Sequence, residues 1–158
     1  MSSRLLKTGL AYETTKQFLA ANEDVDLAIT SYLTQHIFIM LSAEMQQEIY
    51  KIADERSQAI EDDSIKLFMS STTKQLIRSV GKNDLAKYLA YFGNSAKEQF
   101  NKSLDDRSMT IYANALLKRH EIAHKGTCSA TFSELEEAIK CADEVLVALA
   151  QAVKNRSE

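Results

Sequence analysis

Apolar positions recur along the chain at intervals of three and four, in six or seven stretches, as expected of helices with one buried face. The longest stretch covers about residues 25–57, where Leu33, Ile37, Leu41, Met45, Ile49 and Ile52 share a side. Ile37 to Leu41 is apolar all round, which predicts burial on several sides, in a core or at a subunit interface. Residues 4–21 carry an imperfect stripe of Leu6, Leu10, Phe18 and Leu19, weakened by Gly9, and Asn22-Glu23-Asp24 supplies a turn and cap. Beyond the long helix, Ile65, Phe68, Thr72, Leu76 and Val80 predict a third, opening on the acids Glu61 to Asp63 and stopped by Gly81. Asn83 or Asp84 is expected to cap a short helix carrying Leu85, Tyr88, Leu89 and Phe92 up to Gly93. Residues 95–103 predict another, anchored by Phe100. A sixth opens at Asp105-Asp106, carries Met109, Tyr112, Ala115 and Leu116, and ends at Gly126, a natural left-handed stop. Ser133-Glu134-Leu135-Glu136 reads as a capping box. The helix behind it repeats Leu135, Ile139, Ala142, Leu146, Leu149 and Val153 at four and three, a narrow seam for packing along one other helix. Its acids then form a solvated face.

Composition sharpens this to an all-α fold: the 158 residues include no proline and four glycines, all at or near the ends of periodic segments. The length suits one domain, residues 1–158, with its core over about 25–153. A net charge of −3 argues against a general electrostatic grip on nucleic acid, though not against a local basic patch. Cys128 and Cys141 are too few for a disulfide framework and read as reduced, structural residues. No stretch is long and apolar enough for a membrane span, and the first twenty residues lack a signal-type apolar run, so a cytoplasmic, membrane-free protein is expected. The scattered tyrosines and phenylalanines read as core, and His36 as a packed, hydrogen-bonded residue.

The densest chemistry lies in Lys118-Arg119-His120-Glu121-Ile122-Ala123-His124-Lys125-Gly126, at the end of the sixth helix. It admits three readings. His120 and His124, four apart, share a helix face and could grip zinc with Glu121 as general base. That needs a third ligand; Thr127 and Ala130 stand where the extended motif would have Gly and His, and only Glu144 is left downstream. Alternatively, Arg119 suits a phosphorane anion and His124 suits proton transfer, as RNA cleavage by its own 2′-hydroxyl requires. One arginine and one histidine are too few for that reaction, and two copies facing across a two-fold axis would be enough. Finally, cations at a helix C-terminus complement the dipole and need no further role.

At these residues the chain resembles a known family. Arg119 to His124 is similar to the Arg-x4-6-His signature of HEPN domains, with His120 where that family commonly has a polar residue. Leu41-Ser42-Ala43-Glu44 in a long early helix, Phe92-Gly93 at the midpoint, and Ala123-His124-Lys125-Gly126 before a capped last helix resemble the RiboL-PSP type, over roughly residues 25–153. The resemblance implies a HEPN-like bundle of six to seven helices forming a two-fold homodimer. It also implies a metal-independent endoribonuclease without cofactor, with a composite cleft built from both Arg/His pairs. His124 would be the catalytic histidine, Arg119 the phosphate-binding arginine and His120 a supporting residue; Lys118 and Lys125 are our own assignment as RNA-backbone contacts. Such proteins serve as toxins or effectors in prokaryotic toxin–antitoxin and antiviral systems, with an antitoxin or defence protein as partner. Toxins controlled by a nucleotidyltransferase often carry a tyrosine two residues after the histidine, and Gly126 departs from that pattern. The alternative is a non-catalytic HEPN module that dimerises or binds RNA or a partner. No base-reading module is visible, so RNA choice would rest on shape or on a partner.

Overall fold

The computed structural model describes residues 4–154, which form seven helices and no strand. These are α1 (Leu6–Ala21), α2 (Leu27–Ser57), α3 (Asp63–Leu76), α4 (Lys82–Ala90), α5 (Asn94–Lys102), α6 (Asp106–Lys125) and α7 (Ser133–Lys154). Aspartates open three of them. Asp26, Asp62 and Asp105 accept from backbone N–H groups of the first turns of α2, α3 and α6, groups with no partner inside the helix. The Asp62 carboxyl is held below its ordinary value by the Ser64 hydroxyl and by two backbone N–H groups.

The last helix is the centre of the bundle. Leu135, Ala138, Ala142, Val145, Leu146 and Leu149 are buried, and α1, α2, α4, α5 and α6 all pack on it. Its buried face is far wider than the seam expected from Leu135 to Val153, because small residues at Ala138, Ala142, Ala148 and Ala152 let neighbouring helices approach on several sides. Its acids do lie on the solvated side, with Glu134, Glu136 and Glu137 exposed, and they also reach other elements. Glu136 accepts from the Tyr12 hydroxyl at 2.8 Å, Glu144 from the Ser108 hydroxyl at 2.9 Å, and Glu137 pairs with Arg107. Its start is tied at Thr131 and Glu134 rather than at Ser133 and Glu136: the Glu134 carboxylate accepts from the Thr131 N–H at 2.7 Å and from the Thr131 hydroxyl at 3.0 Å.

Two apolar stripes face outward, contrary to expectation. Leu6 and Leu10 of α1 are 68% and 70% exposed, while Thr8, Tyr12 and Thr15 point inward. The cause is a buried carboxylate. Leu5, at the N-cap position of α1, has no side chain able to cap, and Glu44 of α2 does so instead. It accepts from the Lys7 N–H (2.9 Å), the Thr8 N–H (2.7 Å) and the Thr8 hydroxyl (2.6 Å). An anion there also meets the positive end of the helix dipole. Likewise Ile65, Phe68 and Leu76 of α3 are exposed, and Thr73 is its buried residue, its hydroxyl 3.3 Å from that of Tyr88. α3 ends at Leu76, short of Gly81, which instead stands at the N-cap position of α4. α4 ends at Ala90, short of Phe92; Gly93 leads into α5 with φ of 109°, a conformation that favours glycine. Within α2, Ile37, Phe38 and Leu41 are buried but Ile39 is exposed, as is His36, which lines a groove against α1 instead of packing. Cys128 and Cys141 are both free thiols.

Replacing Glu44 by alanine strands three donors at once, so the variant should lose about 2 kcal/mol or more in chemical denaturation. Hydrogen exchange should show the first turn of α1 opening while α7 stays protected.

Candidate functional site

α6 lies on the core through Met109, Tyr112 and Ala115 and turns its other face to solvent. It ends at Gly126, in the left-handed conformation at φ 75°, whose N–H donates to the Ile122 carbonyl at 2.9 Å. The Lys118–Gly126 run therefore occupies its last two turns. His120 and His124 stand one turn apart on the same face, ring centroids 4.2 Å from each other and planes at 51°. Both are exposed, and so is Arg119. Arg119 and His124 are five positions apart in the helix, so they project about 140° apart around its axis. One chain brings His120 to His124 and Arg119 to His120, but it does not bring Arg119 and His124 onto one side.

Arg119 and His120 border a cavity of about 510 Å³. Leu116 and Leu117 of α6 give it an apolar flank, and Ser42 and Gln46 of α2 a polar one. Its remaining wall is the link between α3 and α4, with Arg78, Val80, Gly81 and the first residue of α4, Lys82. That link is tied down from two sides. The buried Tyr112 hydroxyl of α6 donates to the Val80 carbonyl, and the Tyr50 hydroxyl of α2 donates to the Ile77 carbonyl at 3.0 Å. Burial pushes the Tyr112 phenol well above its ordinary value, so it remains a donor at any physiological pH.

The flanking cations behave differently from Arg119. Lys118 pairs with Glu134 at 3.0 Å, which fastens α6 to the cap of α7, and most of its side chain is covered. Lys125 pairs with Glu121 at 3.1 Å across one turn and is exposed. Among the described residues no carboxylate pairs with Arg119. The cavity lining also contains Arg78 and Lys82 and no acid. These two were missed in the sequence: Arg78 lies in a link that helical periodicity does not describe and Lys82 opens the helix after it, and the signal was a glycine flanked by cations.

The third zinc ligand does not form. Glu144 accepts from Ser108, sixteen residues before His124 and so about 24 Å away along α6. No group of three or more histidine, cysteine or carboxylate side chains gathers around a common centre among the described residues.

The fold is a helical bundle that carries, on the closing turns of one helix, a histidine pair and an arginine with no carboxylate partner among the described residues. The family comparison is more specific: the model of RiboL-PSP-HEPN matches residues 11–155. The chain belongs to that family. Neither a curated protein nor a solved structure matches it. No helix among the described residues is long and apolar enough to cross a membrane.

Two outcomes follow from this geometry. Tyr112→Phe leaves the buried Val80 carbonyl without its donor and should cost about 1–2 kcal/mol, with faster amide exchange over Arg78–Lys82. The Glu134 carboxyl is held below its ordinary value by the Thr131 N–H first and by Lys118 as well, against some loss from burial. A depressed folded-state value means that its stabilisation is present above the unfolded value and is lost as pH falls through the folded one. Lys118→Ala should move the Glu134 titration, followed by NMR, back toward the ordinary glutamate range.

Proposed function

We propose that the chain is a metal-independent endoribonuclease, one domain per chain, working as a two-fold homodimer. The observation that carries this reading is Arg119: exposed, without a carboxylate partner among the described residues, bordering an acid-free cavity beside His120, while the lysines on either side are each held by glutamate. A simple C-terminal cap requires cations only in the last turn, where His124 and Lys125 already stand. Arg119 lies more than a turn further in.

The divergence of Arg119 from His124 supports a composite cleft. A two-fold axis crossing the exposed face of α6, where Ala113, Leu117, His120 and His124 follow one another, would set the arginine of one copy beside the histidine of the other. In that cleft one His124 removes the proton of the ribose 2′-hydroxyl, whose oxygen attacks the adjacent phosphorus. Arg119 steadies the charge on the phosphorane. The bond to the 5′-oxygen breaks, and the second copy's histidine supplies the proton that this oxygen takes up. The products are a 2′,3′-cyclic phosphate and a 5′-hydroxyl end. His120, in contact with the His124 ring, orients it, and Lys125 contacts the RNA backbone. Lys118 contributes chiefly by holding α6 to α7. On this reading the protein is a cytoplasmic toxin or effector of a prokaryotic toxin–antitoxin or antiviral system, restrained or triggered by a partner protein.

A second reading, a non-catalytic docking module, has its own observation: Ile65 and Phe68, one turn apart on α3, are both exposed. It requires RNA or partner binding with no turnover.

The test is cleavage of a mixed RNA pool in EDTA. The wild type should cut, leaving cyclic phosphate ends, and Arg119→Ala and His124→Ala should each lose roughly 100- to 10,000-fold in rate while light scattering still reports a dimer. Undiminished cutting by both variants would sink the assignment, and absence of cutting by purified wild type would favour the docking module.

A further inference from the structure

The acid-free cavity does not end at the motif. Lys82, which closes it at the start of α4, also lines a second depression of about 430 Å³ between α4 and α5. That depression is bordered by Lys87, Lys97, Asn83 and Asn101. Neither lining contains a carboxylate, although the chain carries more acids than bases. Asp84 and Glu98 lie nearby on α4 and α5 and line neither hollow. Elsewhere on the bundle many cations are neutralised, as in Arg107–Glu137, Lys16–Glu136 and Lys51–Glu48. Among the described residues Lys82, Lys87 and Lys97 make no ion pair, and neither do Arg78 and Arg119. Two hollows sharing one lysine, each with polar groups beside the cations, fit a polyanion with repeated charges and hydrogen-bonding bases. The apolar flank at Leu116 and Leu117 suits a base face.

We infer that single-stranded RNA runs from Arg119 across the α3–α4 link, past Arg78 and Lys82, and onto the Lys87/Lys97 surface of α4 and α5. This strand path rests on the ribonuclease reading above and extends it away from the reacting phosphate. It divides the labour: Arg119 and the histidines act on one phosphate, while the lysines hold phosphates beyond it and set affinity for length. The tyrosine clamps on Ile77 and Val80 hold the link between the two hollows in place, so the path is preformed.

The experiment is fluorescence anisotropy of labelled oligouridine on the full-length His124→Ala protein, which binds without cutting. Three sets of substitutions are added to it: Lys82→Ala/Lys87→Ala/Lys97→Ala, the same three positions to arginine, and a charge-matched control at Lys74, Lys140 and Lys154. The alanine set should bind about ten-fold more weakly, and its plot of log affinity against log salt should be shallower by about 2, for three lost phosphate contacts. The arginine set and the control should stay near the parent. Unchanged affinity and slope in the alanine set, or an equal loss in the control, would overturn the path; if the wild type still cuts RNA in EDTA, the ribonuclease reading survives that result. A parent protein that binds no oligouridine, beside a wild type that cuts no RNA, would overturn both. Placed in the wild-type background, the pair Lys87→Ala/Lys97→Ala, which lies outside the motif cavity, should raise KM for oligouridine several-fold more than KM for a dinucleotide. A matching loss on the dinucleotide would move the lysines into the reacting centre and overturn the strand path.

Discussion

Everything in this bundle is arranged around the burial of α7. Leu135, Val145, Leu146 and Leu149 are fully covered, and Ala138, Ala142, Ala148 and Ala152 extend the buried arc on either side of them. A helix apolar over so wide an arc cannot lie on a surface; it must be surrounded. α2 and α6 take its two largest flanks, with α5, α1 and α4 filling the rest. The cost falls on the covering helices, each of which gives one face to α7 and leaves another open. For α6 the open face is the one that carries Leu117, His120 and His124.

Hydrophobic burial does not by itself say how the covering helices are oriented, and polar contacts settle that. Glu44 caps α1 from the side of α2, Tyr12 reaches Glu136, and Ser108 bridges Asp105 and Glu144. Among the described residues no buried side-chain donor or acceptor is left without a partner. That matters because an unsatisfied group in the interior costs more than a satisfied one contributes. The same economy builds the site: two tyrosine hydroxyls take up carbonyls of the α3–α4 link, and the link in turn forms a wall beside Arg119.

Electrostatics then separates structural cations from available ones. Lys118 and Arg107 of α6 each reach a carboxylate on α7, and Arg4, ahead of α1, reaches Glu48 on α2, which ties elements together. Among the described residues no carboxylate pairs with Arg119, Arg78, Lys82, Lys87 or Lys97, and these five lie along two adjoining hollows. A negative net charge is compatible with a polyanion site when acids are kept out of one strip, since screening limits repulsion from charges more than about 10 Å away.

Local signals carried much of this. Aspartate caps at Asp62 and Asp105, the glycine stop at Gly126, and periodic leucines through α2 and α7 are decided within a few residues of chain, so the all-helical fold and the position of the Lys118–Gly126 run were legible in the sequence. The family resemblance read from that run and from Leu41–Glu44 agrees with the family to which the chain belongs. What depends on contacts between residues far apart was not legible. Leu6, Leu10, Ile65 and Phe68 have the spacing of a buried face yet point outward, because Glu44, Tyr12 and Thr73 draw the opposite sides of their helices into polar contacts. Periodicity reports that a helix has an apolar side; only the packed structure decides whether that side faces the core, which lysines meet a carboxylate, and that Arg78 and Lys82 stand beside Arg119. Each of those outcomes rests on through-space contacts across tens of residues, and spacing along the chain carries no record of them.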